Sequence, residues 1–191
     1  MQRDALFVDI ALPTAIEQEK NQIIRMCNTH LESLASGVQK RPLQLKVSSE
    51  FMHGTRQDGG LPIPSAAILA GDLNAFAPQD AVAVGDCDLK DAFLVLGGVE
   101  NTEEAYTWGK QNPAWLGGRF PDARMDKVLF CGRIEVLSYK TIGVGLKARV
   151  VLLNTDESGG EEEDDDEHFE DVWVTDHFGL AAEFTVNRAR E

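Results

Sequence analysis

The chain has 191 residues, 43% of them hydrophobic and 26% charged, which is ordinary globular chemistry and enough length to bury one core without metal or disulfide staples. Thirty-two acids against 18 bases give a net charge of -14, yet Asp156–Asp171 alone holds eleven acids and no Lys or Arg. The acidity is therefore one local block, the rest is close to neutral, and a polyanionic partner is not excluded.

No apolar run approaches the roughly 18 residues that a membrane span needs. The opening MQRDALFVDI lacks the basic-then-apolar pattern of a secretory leader. Cys27, Cys87 and Cys131 form no CxxC pair and read as reduced thiols of an intracellular protein. The acidic block at 156–171 reads as a disordered, solvated loop, because it lacks the alternating carboxylate spacing of a calcium loop.

Ala5–Leu12 is a short apolar strand closed by Pro13. Ile23–Leu31 is a second apolar run with a polar end. Pro42 suits a first helical turn, and Leu43, Val47 and Phe51 recur at i, i+4 and i+8. That spacing predicts a helix over Pro42–Met52 with this stripe buried. Arg56–Ser65 is loop chemistry. Ala66–Leu73 is a buried strand, followed by short helices near Pro78–Val84 and Leu89–Leu96. Trp108–Asp122, rich in Gly, Pro and Asn, is loop. Arg124–Phe130, Ile134–Ile142 and Leu146–Leu153 read as strands, as do Val172–Thr175 and Gly179–Val186 at the end of the chain. With no clean βαβ rhythm, the fold class is α/β or α+β, a layered domain with much antiparallel pairing.

Polar residues gather where these strands end. Asp72 and Asn74 share one face by the period-two rule, and Asn28 and His30 repeat the spacing. Arg124 and Asp126 flank Met125, and Asp176 and His177 precede a short apolar run. Any one pair fits a strand that ends at the surface. Four together suit metal-assisted attack of water on a phosphate ester. In that chemistry a carboxylate positions the water, histidines and a divalent ion neutralise the phosphoryl oxygens, and an amide donates to the developing centre. Asp126 is placed to orient His177. Serine or cysteine nucleophile chemistry has less support: there is no G-x-S-x-G turn, and Cys27 lies in the apolar part of a strand. There is also no GxxxxGK[ST] or GxGxxG phosphate loop. Lys110, Arg119, Arg124 and Lys127 read equally as a phosphate track or as dispersed solubilising charges.

Five segments occur in order: N-T-H-L-E-S at Asn28–Ser33, G-D-L-N at Gly71–Asn74, Y-T-W at Tyr106–Trp108, R-M-D-K-V-L-F at Arg124–Phe130 and T-D-H-F-G-L at Thr175–Leu180. Together they resemble the endonuclease/exonuclease/phosphatase superfamily. With R-P-x-Q-L at Arg41–Leu45 the chain is most similar to its 5′-tyrosyl-DNA phosphodiesterase branch.

The resemblance implies two mixed β-sheets packed face to face and flanked by helices. It implies His30, Asp72, Asn74, Asp126 and His177 as catalytic residues, with Asn28, Trp108 and Arg124 on the substrate. It places Asp176 beside Mg²⁺ or Mn²⁺. It also implies a nucleic-acid substrate, DNA 5′ ends, and a nuclear role in DNA repair.

The same resemblance implies a preceding half-domain that carries an asparagine and a metal-binding glutamate. Asp4 and Asp9 do not match that glutamate, so residues 1–191 read as the C-terminal part of one such domain. Ala75 and Phe76 replace the basic residue that follows G-D-x-N in the tyrosyl-DNA branch, and Gly109 replaces an aspartate after Y-T-W. Other phosphoesterases of the superfamily therefore stay open (apurinic endonuclease, poly(A) nuclease, inositol or lipid phosphatase), as does a catalytically silent interaction module.

Overall fold

The computed structural model describes residues 3–13, 21–55, 61–113, 118–152 and 168–187. Five strands form a central mixed sheet in the order β1-β2-β3-β5-β4, from β1 (Ala5–Leu12), β2 (Gln22–Thr29), β3 (Ala66–Asp72), β4 (Lys90–Asp91) and β5 (Asp126–Gly132). Only β2 and β3 run parallel in it. Parallel neighbours need a crossover, and α1 (Arg41–His53) lies within that connection. β6 (Ile134–Ile142) and β9 (Gly179–Val186) form an antiparallel ribbon, and β7 (Lys147–Leu152) pairs with β8 (His168–Trp173) in a separate hairpin. Two further α-helices, α2 (Pro78–Asp86) and α3 (Ala92–Val95), and a 3-10 turn at Ala35–Gly37 complete the described elements.

Alternation along the central strands divides the core in two. Cys27, Ala67, Leu69, Leu129 and Cys131 face Leu45 and Met52 of α1 and Ala83 of α2. Ile24, Ala66, Ile68, Val128 and Phe130 face the β6–β9 ribbon through Ile134, Val136, Leu180 and Phe184. The result is a sheet between a helical layer and a second strand layer, the layered α/β sandwich that the sequence predicts.

Four expectations change. The helix is present, but its buried residues are Arg41, Leu45, Ser48, Ser49 and Met52, whereas Leu43 is 65% exposed and Val47 is exposed. Phe51 meets Phe7 at 5.2 Å between ring centroids. Ser48 and Ser49 are small enough to be buried, the Ser49 hydroxyl donating to the Lys46 carbonyl at 2.8 Å, and Arg41 is drawn inward by Asp80, so polar residues occupy the stripe that hydrophobicity alone assigned elsewhere. The strand expected at Val172–Thr175 is His168–Trp173 instead, since its register is set by β7, with Lys147 opposite Trp173. The end of the acidic run, Phe169–Asp171, is therefore strand, while residues 156–167 of the expected loop lie outside the described residues. The helix near Leu89–Leu96 shortens to Ala92–Val95, because Lys90 and Asp91 pair with Phe130 and Leu129 of β5.

Candidate active site

Four chain segments meet at one end of the central sheet. β3 ends at Asp72 directly opposite Asp126, the first residue of β5. Gly71 permits this end to close. A Cβ there would stand 1.9 Å from the Thr29 carbonyl oxygen of β2, an overlap no side chain survives.

Asn74 does not reach Asp72 by continuing the strand. It adopts φ 47°, a left-handed conformation that asparagine tolerates better than most residues. There its N–H donates to Asp72 Oδ1 at 2.8 Å, and Nδ2 donates to the Leu31 carbonyl at 3.2 Å and to Asp72 Oδ2 at 3.3 Å. The turn replaces the period-two placement expected from sequence, and it brings the amide and the carboxylate together.

Thr107 joins this end to the segment of His177, although sequence reasoning gave it no role within Y-T-W. It is fully buried. Its Oγ1 accepts the N–H groups of Met125 and Asp126, each at 3.0 Å, and its carbonyl accepts the Phe178 N–H at 2.7 Å. His177 is thereby set beside β5, and its Nδ1 lies 2.8 Å from Asp126 Oδ2. His177 Nε2 then faces Asp72 Oδ2 at 4.0 Å, and His30 Nε2 lies 3.2 Å from the same oxygen. The structure thus brings together His30, Asp72, Asn74, Asp126 and His177.

The charges within this group are mutually dependent. Burial pushes the Asp72 carboxyl above its ordinary range and Asp126 adds to that, while the Asn74 N–H and the imidazoles of His177 and His30 oppose it. For His177, burial works against a charged ring, but the hydrogen bond its Nδ1–H donates to Asp126 and the carboxylates of Asp126, Asp72 and Asp176 outweigh it, so its pKa is raised. Ligand atoms of Asp72, Asp126 and His177 all lie within 4.8 Å of one another. Two carboxylates and one imidazole fit Mg²⁺ or Mn²⁺, which retain several waters and favour oxygen donors.

The remaining expected residues fall less centrally. Asn28 is exposed and donates to the Ala70 carbonyl at 3.0 Å. Asp176 is outside the clustered ligand atoms, and its Oδ2 accepts the Trp108 indole N–H at 3.3 Å. The Trp108 ring stands 6.5 Å from the His177 ring and 6.4 Å from that of Phe120, so it forms a wall beside the site.

Arg124, expected on the substrate, is corrected. It is buried, and its guanidinium donates to Asp91 and Glu100. A cation in that position needs internal partners to be stable. Lys127 joins the same network at 3.1 Å from Glu100, and Lys110 is paired with Asp122 at 2.6 Å and Glu103 at 2.7 Å. Two of the four cations of the expected phosphate track, Arg124 and Lys127, are thus held in internal ion pairs, and a third, Lys110, is paired at the surface. Cys27 is buried, and burial pushes its thiol up to about 12, which leaves it a core residue.

Comparison with known proteins gives the same outline. Residues 49–177 match the endonuclease/exonuclease/phosphatase family model. No curated protein matches the chain. Among solved structures, TDP2 of D. rerio humanized by 14 mutations is 16% identical with a TM-score of 0.56, over 97% of this chain and 67% of that one. D. rerio TDP2 complexed with a single-strand DNA product is 19% identical with a TM-score of 0.54, over 96% of this chain and 69% of that one. A mannosyl-6-phosphatase of Bacteroides thetaiotaomicron is 17% identical with a TM-score of 0.52, over 86% of this chain and 52% of that one. At these identities the likeness is one of fold, and the chain spans about half to two thirds of the longer chains it matches. Because the family match runs from α1 through His177 and covers most of the chain, the protein belongs to the endonuclease/exonuclease/phosphatase family.

Proposed function

We propose that this protein hydrolyses a phosphoester by direct attack of water, and that its substrate is a phosphodiester at a DNA 5′ end, as in the tyrosyl-DNA phosphodiesterase branch that its motifs resemble. The observation that carries the reading is Asp72 Oδ2 set between two imidazoles, 3.2 Å from His30 Nε2 and 4.0 Å from His177 Nε2, with the Asn74 amide bonded to the same carboxylate. In the reading, Asp72 orients the attacking water and accepts its proton. His177, held by Asp126, donates to a phosphoryl oxygen as negative charge develops there, His30 does so from the other side, and the Asn74 amide donates to the attacking oxygen. The carboxylates of Asp72 and Asp126 would hold a divalent ion, which when bound supplies Lewis-acid polarisation of the phosphoryl group.

The DNA assignment is supported by the ordered motifs and by the likeness in fold to a TDP2 complexed with single-strand DNA product. A nuclear repair role follows from it. A second reading, a small phosphomonoester, is favoured by one observation: Arg124 and Lys127 are buried against Asp91 and Glu100, and Lys110 is paired at the surface with Asp122 and Glu103, so among the described residues these three form no open cationic track. The likeness in fold to a mannosyl-6-phosphatase agrees with it. We further propose that residues 1–191 form part of one domain of this family.

The deciding experiment compares turnover of a 5′-phosphotyrosyl oligonucleotide, an abasic duplex, a phosphatidylinositol phosphate and mannose 6-phosphate, each with Mg²⁺ or Mn²⁺ and with chelator. Preference for the tyrosyl substrate, abolished by chelation and by Asp72→Asn, supports the main reading. Preference for the sugar phosphate replaces it with the second. A folded chain that turns over none of these and takes up neither ion is the silent module.

A further inference from the structure

Arg41 is 1% exposed, and it belongs to none of the groups assigned above. A guanidinium so deep must have its donors met. Its Nε and Nη2 donate to the two carboxylate oxygens of Asp80 at 2.8 and 2.9 Å. Its Nη1 donates to the carbonyls of Leu34 at 3.0 Å and Glu32 at 3.3 Å. Its guanidinium carbon lies 4.4 Å from the centroid of the Phe76 ring. Asp80 Oδ2 also accepts the Ala77 N–H at 2.9 Å, and Gln44, three residues along α1, accepts the Glu32 N–H on Oε1 at 2.9 Å.

These contacts fall on two loops. Glu32 and Leu34 follow His30, and Phe76 and Ala77 follow Asn74. The loops also touch each other, through the Asn74 Nδ2 bond to the Leu31 carbonyl and the Leu31 N–H bond to the Asp72 carbonyl at 2.9 Å. A buried ion pair contributes little stability beyond what an apolar pair of equal volume would supply. What it does supply is direction: a planar fork with fixed angles to several partners. Directional restraint is what a left-handed Asn74 requires, since such a conformation persists only where its surroundings hold it.

We infer that Arg41 is a positioning residue, which with Asp80 and Gln44 locks the loop of His30 against the loop of Asn74 without itself touching substrate. The inference rests on the phosphoester reading of the site.

The test uses Arg41→Met combined with Asp80→Leu, which removes the fork and leaves no unpaired buried charge. Three quantities are measured: the melting temperature, kcat and KM for the preferred phosphoester, and the NMR signals of the Asn74 side-chain amide and the His30 ring. The double variant is expected to melt within a few degrees of the parent. Its kcat should fall ten- to a hundredfold with KM changed less than threefold, as expected when reacting groups are displaced by about an ångström, and both NMR signals should move. A double variant with parental kcat and unmoved signals overturns the inference. Should it fail to fold, Gln44→Ala decides. That change removes only the Glu32 bond and is expected to lower kcat two- to tenfold and to shift the His30 ring signal; parental values of both overturn the inference. If the unmutated protein turns over no phosphoester, the functional reading fails by itself, and the NMR signals still report whether the loops are held by Arg41.

Discussion

Asp72 carries the central conflict at the scale of single residues. Its carboxyl is held above its ordinary value of 3.8, first by burial. The folded chain therefore binds this proton more tightly than the unfolded chain does, and ionising Asp72 destabilises the fold as pH rises through its folded pKa. At neutral pH, Asp72→Asn is expected to raise the melting temperature, by an amount within the roughly 0.5–2 kcal/mol of single stabilising substitutions. It should also lower turnover by about 10²–10⁴-fold, the range for loss of a general base. Calorimetry and rate measurements on one preparation check both, and an unchanged rate removes Asp72 from the chemistry. The sign for His177 follows the same logic with opposite charge. Its pKa is raised above 6.5 once Asp126 outweighs burial, so the charged ring stabilises the fold below the unfolded value, and that contribution is lost as pH rises through the folded pKa. In metal-free protein, Asp126→Asn should lower the pKa seen in an NMR titration of the His177 ring. A titration unmoved by the substitution means Asp126 does not hold the ring's charge. The residues were legible from their types and order, whereas the left-handed turn at Asn74 and the burial of Arg124 were not, because both depend on partners remote in sequence.

At the scale of elements, α1 shows how a correct helix can be assigned a wrong face. Leu43, Val47 and Phe51 give an apolar stripe, but Arg41, Leu45, Ser48 and Met52 give an equally regular one, and it is the second that lies on the sheet. Hydrophobicity could not choose between them, because the buried stripe includes an arginine satisfied by Asp80 of α2. Leu45→Ala is expected to cost about 2–5 kcal/mol, as for a buried leucine, and Leu43→Ala to stay within about 0.5 kcal/mol, as for a surface position. Urea denaturation of the two variants measures the difference, and equal costs would return the stripe to Leu43. The strands β1, β6 and β9 match their sequence boundaries because their apolar runs are bounded by Pro13, Gly143, Gly179 and charged or polar ends. β8 does not, since its extent is set by pairing with β7 and not by its own composition.

At the scale of the whole molecule, the second strand layer covers only part of the central sheet. Ile68, Val128 and Phe130 lie beneath β6 and β9, but Leu6, Val8, Ile10 and Met26 are exposed, Leu6 at 68%. Val8 lies opposite Met26 and Ile10 opposite Ile24, so the exposed residues continue the face that the ribbon covers elsewhere. Among the described residues β1 is also an edge strand. An open edge beside an apolar face promotes association between chains. Light scattering should show concentration-dependent growth, and Val8→Lys combined with Leu6→Lys should reduce it. Scattering unchanged by these charges would place the association elsewhere. Asp9, on the opposite face, is held by Arg25 at 2.6 and 2.7 Å, and so has a structural role distant from the cluster at Asp72.

The amino-acid sequence by itself determined which groups this protein has for its chemistry and the order in which they occur, because apolar runs and turn residues fix strands locally and the motifs sit at their ends. Only the tertiary structure decided which groups converge. Asp72, Asp126 and His177 come from segments far apart in the chain, and the distances between them are set by the pairing of β3 with β5 and by the hydrogen bonds of Thr107. The same packing drew Arg124 and Lys127 into internal ion pairs, since a buried cation is stable only beside a buried anion, and no reading of local pattern contains that partner.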